Sequence, residues 1–279
     1  MFLPGTIKRL TTRETLVRNL VEIFSPNAVQ IGLRLLSSVS FLLAAQTGLA
    51  VDRALPESYF SYQEVYQFQE SVGSCEMYKD CREVLSEYAR LNSHILSYDD
   101  ARFSMFHDLD VIESEYGERV YRTIYELKTF KVPDQGLPNH SIVNTEHTFP
   151  RSLLKHGRDY SKSKSDLMHL FPAVSTVNSK RGSKPFGDCN GNGREWRVCS
   201  NGFEPPHVHK GTIARAMFYV AIAYDLDIDP KQEATLRAWA KAFPVTNSER
   251  VRAHRVYLVQ GNRNPFIDHP EWIDLILDF

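Results

Sequence analysis

The sequence predicts an α+β domain with a small strand pair set among helices, and three observations carry that expectation. Apolar residues recur at helical spacing both before and after the middle of the chain. β-Branched and aromatic residues concentrate between them, over 120–132 and 142–145. No internal repeat and no second-domain linker interrupts the 279 residues, whose 42% apolar and 24% charged content is that of an ordinary globular protein.

Taken in order, residues 35–45 form the first distinct element, an apolar run that follows Arg34 and is followed by the small residues Gly48 and Ala50. The run is too short to span a bilayer and ends in a small-x-small pattern, so it reads as a secretory signal peptide. The long stretch before it is unusual for a signal and is consistent with a later translation start near Val29. This divides the chain into an N-terminal extension with signal, 1–50, and a single domain, 51–279. Cleavage removes five basic and two acidic side chains, moving the net charge from −1 to −4. The domain expected is exported, periplasmic or secreted, a monomer with no stable protein partner and no membrane span in the mature chain.

The four cysteines fit that compartment. Four allow three pairings, and the two local ones, Cys75–Cys81 and Cys189–Cys199, are favoured. The competing reading is a zinc site, but the C-x5-C and C-x9-C spacings are wider than zinc pairs use.

Val84, Leu85, Tyr88, Leu91 and Ile95 predict a helix over 81–96, and Ala101, Met105 and Leu109 predict another over 98–109 with Asp99 or Asp100 as its cap. Segment 120–132 reads as one or two strands, and 133–140, with two prolines and a glycine, as a loop. After the middle, 210–224 reads as a helix with an apolar face. Asp229-Pro230 starts a second by capping logic, and 248–260 forms a third that Gly261 stops. Arg215, on an apolar face, reads as a buried ion-pair partner.

The chemistry lies between. Ile142 to Thr145 is a short strand, so Glu146 and His147 stand at its end, where a bend at Pro150 would let both serve one cavity. Leu167 to Phe171 is a second strand, and Pro172 or Ala173 opens a short helix that carries Asn178 and closes at Gly182. Strand, loop, strand and helix with these side chains can cradle one divalent ion, Mg2+ or alternatively Mn2+ or Ca2+. A Glu carboxylate and an Asn carbonyl suit a hard cation that keeps water and phosphate on its other positions, and a histidine titrates where a general base must. Between Arg151 and Arg197 ten basic residues face four acidic ones, a local excess of six in a near-neutral chain; such a field can steer a polyanion.

Three runs resemble the bacterial endonuclease I family: Thr145-Glu146-His147-Thr148-Phe149-Pro150, Lys164-Ser165-Asp166 through Phe171-Pro172, and Val177-Asn178-Ser179-Lys180-Arg181-Gly182. The similarity extends through 210–216, 243–246 and 260–266, and so spans roughly 95–268. The resemblance implies a periplasmic or secreted nuclease with a ββα-metal (His-Me finger) core. It makes His147 the general base and Glu146 and Asn178 the metal ligands, with DNA, RNA or both as substrate and little sequence preference. Met168-His169 departs from the two polar residues usual there, so a supporting role is either lost or passes to His169. In some members a phosphate-binding arginine comes from a cysteine-containing insertion that is missing here; Arg158 is the substitute, with Arg151 the alternative. For Lys180 and Arg181, phosphate contact and a solvent-exposed cationic helix end are equal readings. His207 and His209 alternate like a metal pair but lack a third ligand. The rival functions are a secreted ribonuclease with the same site and an inactivated relative that only binds nucleic acid.

Overall fold

The computed structural model describes residues 81–279 apart from Asn92 and Asn201. The expected leader at 1–50 and Cys75 lie outside the described residues. Cys81 is disulfide-bonded, and Cys189–Cys199 closes the second expected loop.

Helix α1, Arg82–Arg90, is shorter than its apolar spacing predicts. The backbone turns extended at Leu91 (ψ 129°), and His94 N–H goes to the carbonyl of Gln260, 2.7 Å away. That partner lies far along the chain, which is why local periodicity misses the stop. Helix α2, Tyr98–Ser104, runs into a π-helical turn at Met105–Leu109. Its cap is Ser97, not Asp99 or Asp100: Ser97 Oγ accepts from Asp100 N–H and donates to the Asp100 carboxylate, a reciprocal cap.

Strands β1 (Val111–Glu113), β2 (Arg119–Arg122) and β3 (Thr129–Lys131) form one antiparallel sheet. The expected strand region therefore holds two strands, reversing through Leu127 at φ 55°. A second sheet pairs β4, Val143–His147, with β5, Leu170–Val174. Ile124 N–H donates to Pro172 O at 2.9 Å and joins the two sheets. Strand β5 starts three residues later than expected because Asp166–His169 is a turn, and Pro172 is part of the strand. A two-stranded ladder leaves each strand an outer edge, where a missing N–H is tolerated.

Two short helices, α3 (Arg151–Leu154) and α4 (Tyr160–Ser163), lie in the β4–β5 connection. Helix α5, Ser175–Arg181, follows β5 directly and ends at Gly182, whose φ of 54° favours glycine. Strands β6 (Arg197–Cys199) and β7 (Gly202–Glu204) form a hairpin at the disulfide.

Helix α6, His207–Tyr224, is buried around nearly its whole circumference from Lys210 onward, not on one face as expected. It is the central rod, against which α1, α7 (Pro230–Ala242) and α9 (Pro265–Asp268) pack. Asp229 caps α7 by accepting from Lys231 and Gln232 N–H. Helix α8, Asn247–Gln260, stops at Gly261 with φ 81°. Arg215 is the expected buried ion-pair partner, held by both carboxylate oxygens of Glu249 at 2.7 and 2.6 Å.

Candidate active site on the two-stranded sheet

Along β4, successive side chains alternate faces, so Asn144 and Glu146 share one side while Thr145 and His147 share the other. Asn178, on α5, lies over the first side. Its amide nitrogen donates to Asn144 Oδ1 at 2.7 Å and to the Thr145 carbonyl at 3.2 Å. A backbone carbonyl can only accept, so the amide orientation is set and Asn178 Oδ1 is left as the outward acceptor.

Glu146 is buried. Tyr125 donates to its Oε1 at 2.6 Å, and Arg181 Nη1 lies 3.2 Å from the same oxygen. Both side-chain contacts fall on Oε1, and the backbone N–H of His147 also acts on the carboxylate, which leaves Oε2 without a side-chain partner among those two. Burial raises the Glu146 pKa, while Arg181 and the Tyr125 hydrogen bond pull it back.

His147 is 5% exposed. Its Nε2 lies 2.9 Å from the Lys164 carbonyl; this nitrogen must carry the hydrogen, so the lone pair is on Nδ1. Burial above all, then the neighbouring His169, holds the pKa well below the ordinary 6.5, so the ring is a neutral base. The rings of His147 and His169 are 5.5 Å apart. His169 is fully buried and donates from Nε2 to the Ser163 carbonyl at 2.7 Å, and its buried Nδ1 has no partner. Consecutive carbonyls, Ser163 and Lys164, thus orient both imidazoles. Met168 points elsewhere: its side chain lines a small internal void with Phe171, Ala216 and Arg252.

The loop that supplies those carbonyls is anchored by Asp166. Oδ1 accepts from Met168 N–H and Gln260 Nε2, and Oδ2 accepts from the hydroxyls of Tyr219 and Tyr224, all within 2.7–2.9 Å. Four donors on a completely buried carboxylate compensate its desolvation.

The predicted cations divide. Arg151 and Lys180 are exposed, and Arg158 is half-exposed with Asp225 3.8 Å away. Arg181, read as either a phosphate contact or an exposed helix end, is neither. It is 1% exposed, and besides Glu146 its guanidinium bonds the carbonyls of His147 at 3.0 Å and Thr148 at 2.6 Å. It ties the end of β4 to the end of α5 from inside, with no face toward a substrate. His207 lies 3.9 Å from Glu204, and among the described residues no three His, Cys, Asp or Glu side chains cluster as a metal site.

Sequence reasoning missed Tyr98. Its ring is 5.7 Å from that of His147, and Lys164, Arg102 and Arg151 stand 4.9, 5.5 and 5.8 Å from its centre. No local signal links Tyr98 to a histidine so far along the chain. Tyr125 was equally invisible, being one aromatic of a strand region.

The family model for endonuclease I matches residues 87–271, about two-thirds of the chain. The chain belongs to the endonuclease I family. Among curated members, it is 38% identical over 160 residues to an extracellular ribonuclease of Bacillus subtilis, covering 48% of this chain and 53% of that protein. It is 32% identical over 118 residues to a periplasmic deoxyribonuclease of Aeromonas hydrophila, covering 39% and 50%. With endonuclease-1 of Buchnera aphidicola from Acyrthosiphon pisum the identity is 30% over 117 residues, covering 39% and 47%. The chain spans about half the length of the curated relatives it matches. All the site residues described above lie inside the matched region.

Proposed function

We propose that this chain is a metal-dependent endonuclease that hydrolyses phosphodiester bonds of DNA and RNA with little sequence preference, in the periplasm or outside the cell. The observation that carries the reading is the β4–β5–α5 unit, read as a ββα-metal core. It brings oxygens of Glu146 and Asn178 together with an imidazole, next in sequence at the end of β4, whose tautomer leaves Nδ1 as the base.

Two hard oxygen donors fit a divalent ion such as Mg2+ that keeps most of its positions for water and phosphate. Glu146 Oε2 and Asn178 Oδ1 would hold it. When bound, such an ion supplies charge neutralisation at the scissile phosphate and at the leaving oxygen. His147 Nδ1 takes the proton of the attacking water, and the Lys164 carbonyl, already accepting from Nε2–H, stabilises the imidazolium formed. Lys164, Arg151 and Arg102, gathered on Tyr98 beside His147, supply positive charge for the phosphate chain. No residue of this set requires a 2′-hydroxyl. Relatives named for ribonuclease and for deoxyribonuclease activity support both substrates, and the words extracellular and periplasmic in those names support export. Arg151 replaces Arg158 as the preferred phosphate contact because it lies in the Tyr98 cluster.

The test uses the protein purified from an oxidising compartment, supercoiled plasmid, single-stranded RNA, and Mg2+ or chelator, beside His147→Ala. Magnesium-dependent cutting lost in the variant is the expected result. Binding without cutting would favour the inactivated-relative reading, and cutting of RNA alone the ribonuclease. The proposed processing after Ala50 predicts that the exported protein begins at Val51, which N-terminal sequencing checks.

A further inference from the structure

The loop closed by Cys189–Cys199 carries a side chain that the reaction does not use. Trp196 is half-buried, and its indole lies parallel to the Phe203 ring, 5.9 Å between centres and 5° between planes. The Lys180 ammonium stands 5.1 Å from the indole centre. The chain's other two tryptophans, Trp239 and Trp272, are buried.

The position ties Trp196 to the catalytic sheet by two routes. Phe203 packs on Tyr125 with centres 4.6 Å apart, and Tyr125 donates to Glu146. Lys180 is on α5, two residues past Asn178. The loop itself is firmly seated: Glu204 Oε2 accepts from Cys189 and Gly191 N–H, while Lys210 bridges Glu204 and Asp188 at 2.7 and 2.6 Å. Arg194 and Arg197 beside Trp196 are exposed.

We propose that Trp196 and Lys180 form a nucleobase subsite that takes an unpaired base of the substrate strand beside the Glu146–Asn178 side of the sheet. An indole backed by another ring is a rigid stacking platform, and flexible cations around an aromatic face are how single strands are held without reading their sequence. The incoming base displaces the Lys180 ammonium from the indole face, and Lys180 then pairs with the adjacent phosphate. A base inside a duplex is already stacked, so the subsite favours single-stranded nucleic acid. The inference rests on the nucleic-acid reading of the site.

The test is a fluorescence titration of the full chain in chelator, with a short single-stranded thymidine oligonucleotide, an abasic strand of equal length, and a duplex. Only the first should quench tryptophan emission. Trp196→Ala should weaken the oligonucleotide by about 5- to 150-fold, measured by anisotropy of a labelled strand, and leave duplex affinity unchanged. Trp196→Phe, which keeps a stacking ring, should retain most of the affinity and lose the quench; it also carries the test if the alanine variant does not fold. Equal binding and quenching by the abasic strand, or single-strand affinity unaltered in Trp196→Ala, would overturn the subsite. Plasmid nicking with Mg2+ is measured in parallel: base-dependent quenching without nicking supports the subsite and counts only against the hydrolytic reading.

Discussion

Replacing Arg181 by alanine separates two readings of one residue. If its role is internal, as its burial requires, the variant loses a buried partner of Glu146 at 3.2 Å and orphans the carbonyls of His147 and Thr148. Removing one member of a buried ion pair costs about 3–5 kcal/mol, because the other charge stays desolvated. For a domain of this size each kcal/mol lowers the melting temperature by about 2–4 °C, so the midpoint should drop by about 6–20 °C. The assay is thermal unfolding by circular dichroism in chelator. A pH arm adds a signature. Burial already raises the Glu146 pKa and Arg181 restrains it, so the variant's carboxyl rises further. A raised folded-state pKa contributes stability that is present below the unfolded value of 4.5 and lost as pH climbs through the folded one. The deficit against wild type should therefore be smallest in acid and widen toward neutrality. An unaltered melt with a raised KM for DNA would refute the internal role and return Arg181 to the phosphate contacts.

His209 has a buried, unpartnered Nε2 and a pKa pushed down to about 4, by burial and then by Arg122. Such a group stabilises the fold above its ordinary 6.5, and that contribution is lost as pH falls toward the lower value. Its ceiling is about 3 kcal/mol, discounted because the residue is partly exposed. His209→Gln should flatten the acid side of the stability curve, and parallel curves would contradict this. Asp166→Asn turns an amide N–H2 toward two of the four donors, so we expect a loss of about 3 kcal/mol or more in urea unfolding and a fall in cleavage, since the turn leading to His169 loosens. Wild-type stability in the variant would show that the network is not an anchor. Replacing Cys189 and Cys199 together by serine should cost about 3 kcal/mol, the loop-closure value for a sequence separation of 10. Equal unfolding midpoints for the variant and the oxidised protein would rule that out.

Much of this protein was legible because its signals are local. Asp229-Pro230 and Gly261 bound their helices by cap chemistry that needs no neighbour. The Glu-His pair and Asn178 stood out as chemistry that only a few residue types provide, and the cysteine spacing indicated the Cys189–Cys199 loop. What only the tertiary structure decided depends on partners distant in sequence. Gln260 takes His94 and ends α1 early. The carbonyls of Ser163 and Lys164, identical in kind to every other carbonyl, choose which nitrogen of each histidine is the base. Arg181 looked like an exposed helix end because helical periodicity does not say which arginine a carboxylate will draw inside. Tyr98 joined the site only because folding brought α2 against the end of β4. Residue type and spacing carry the kind of chemistry; burial and the direction of each hydrogen bond are properties of the packed chain, and these assign the roles.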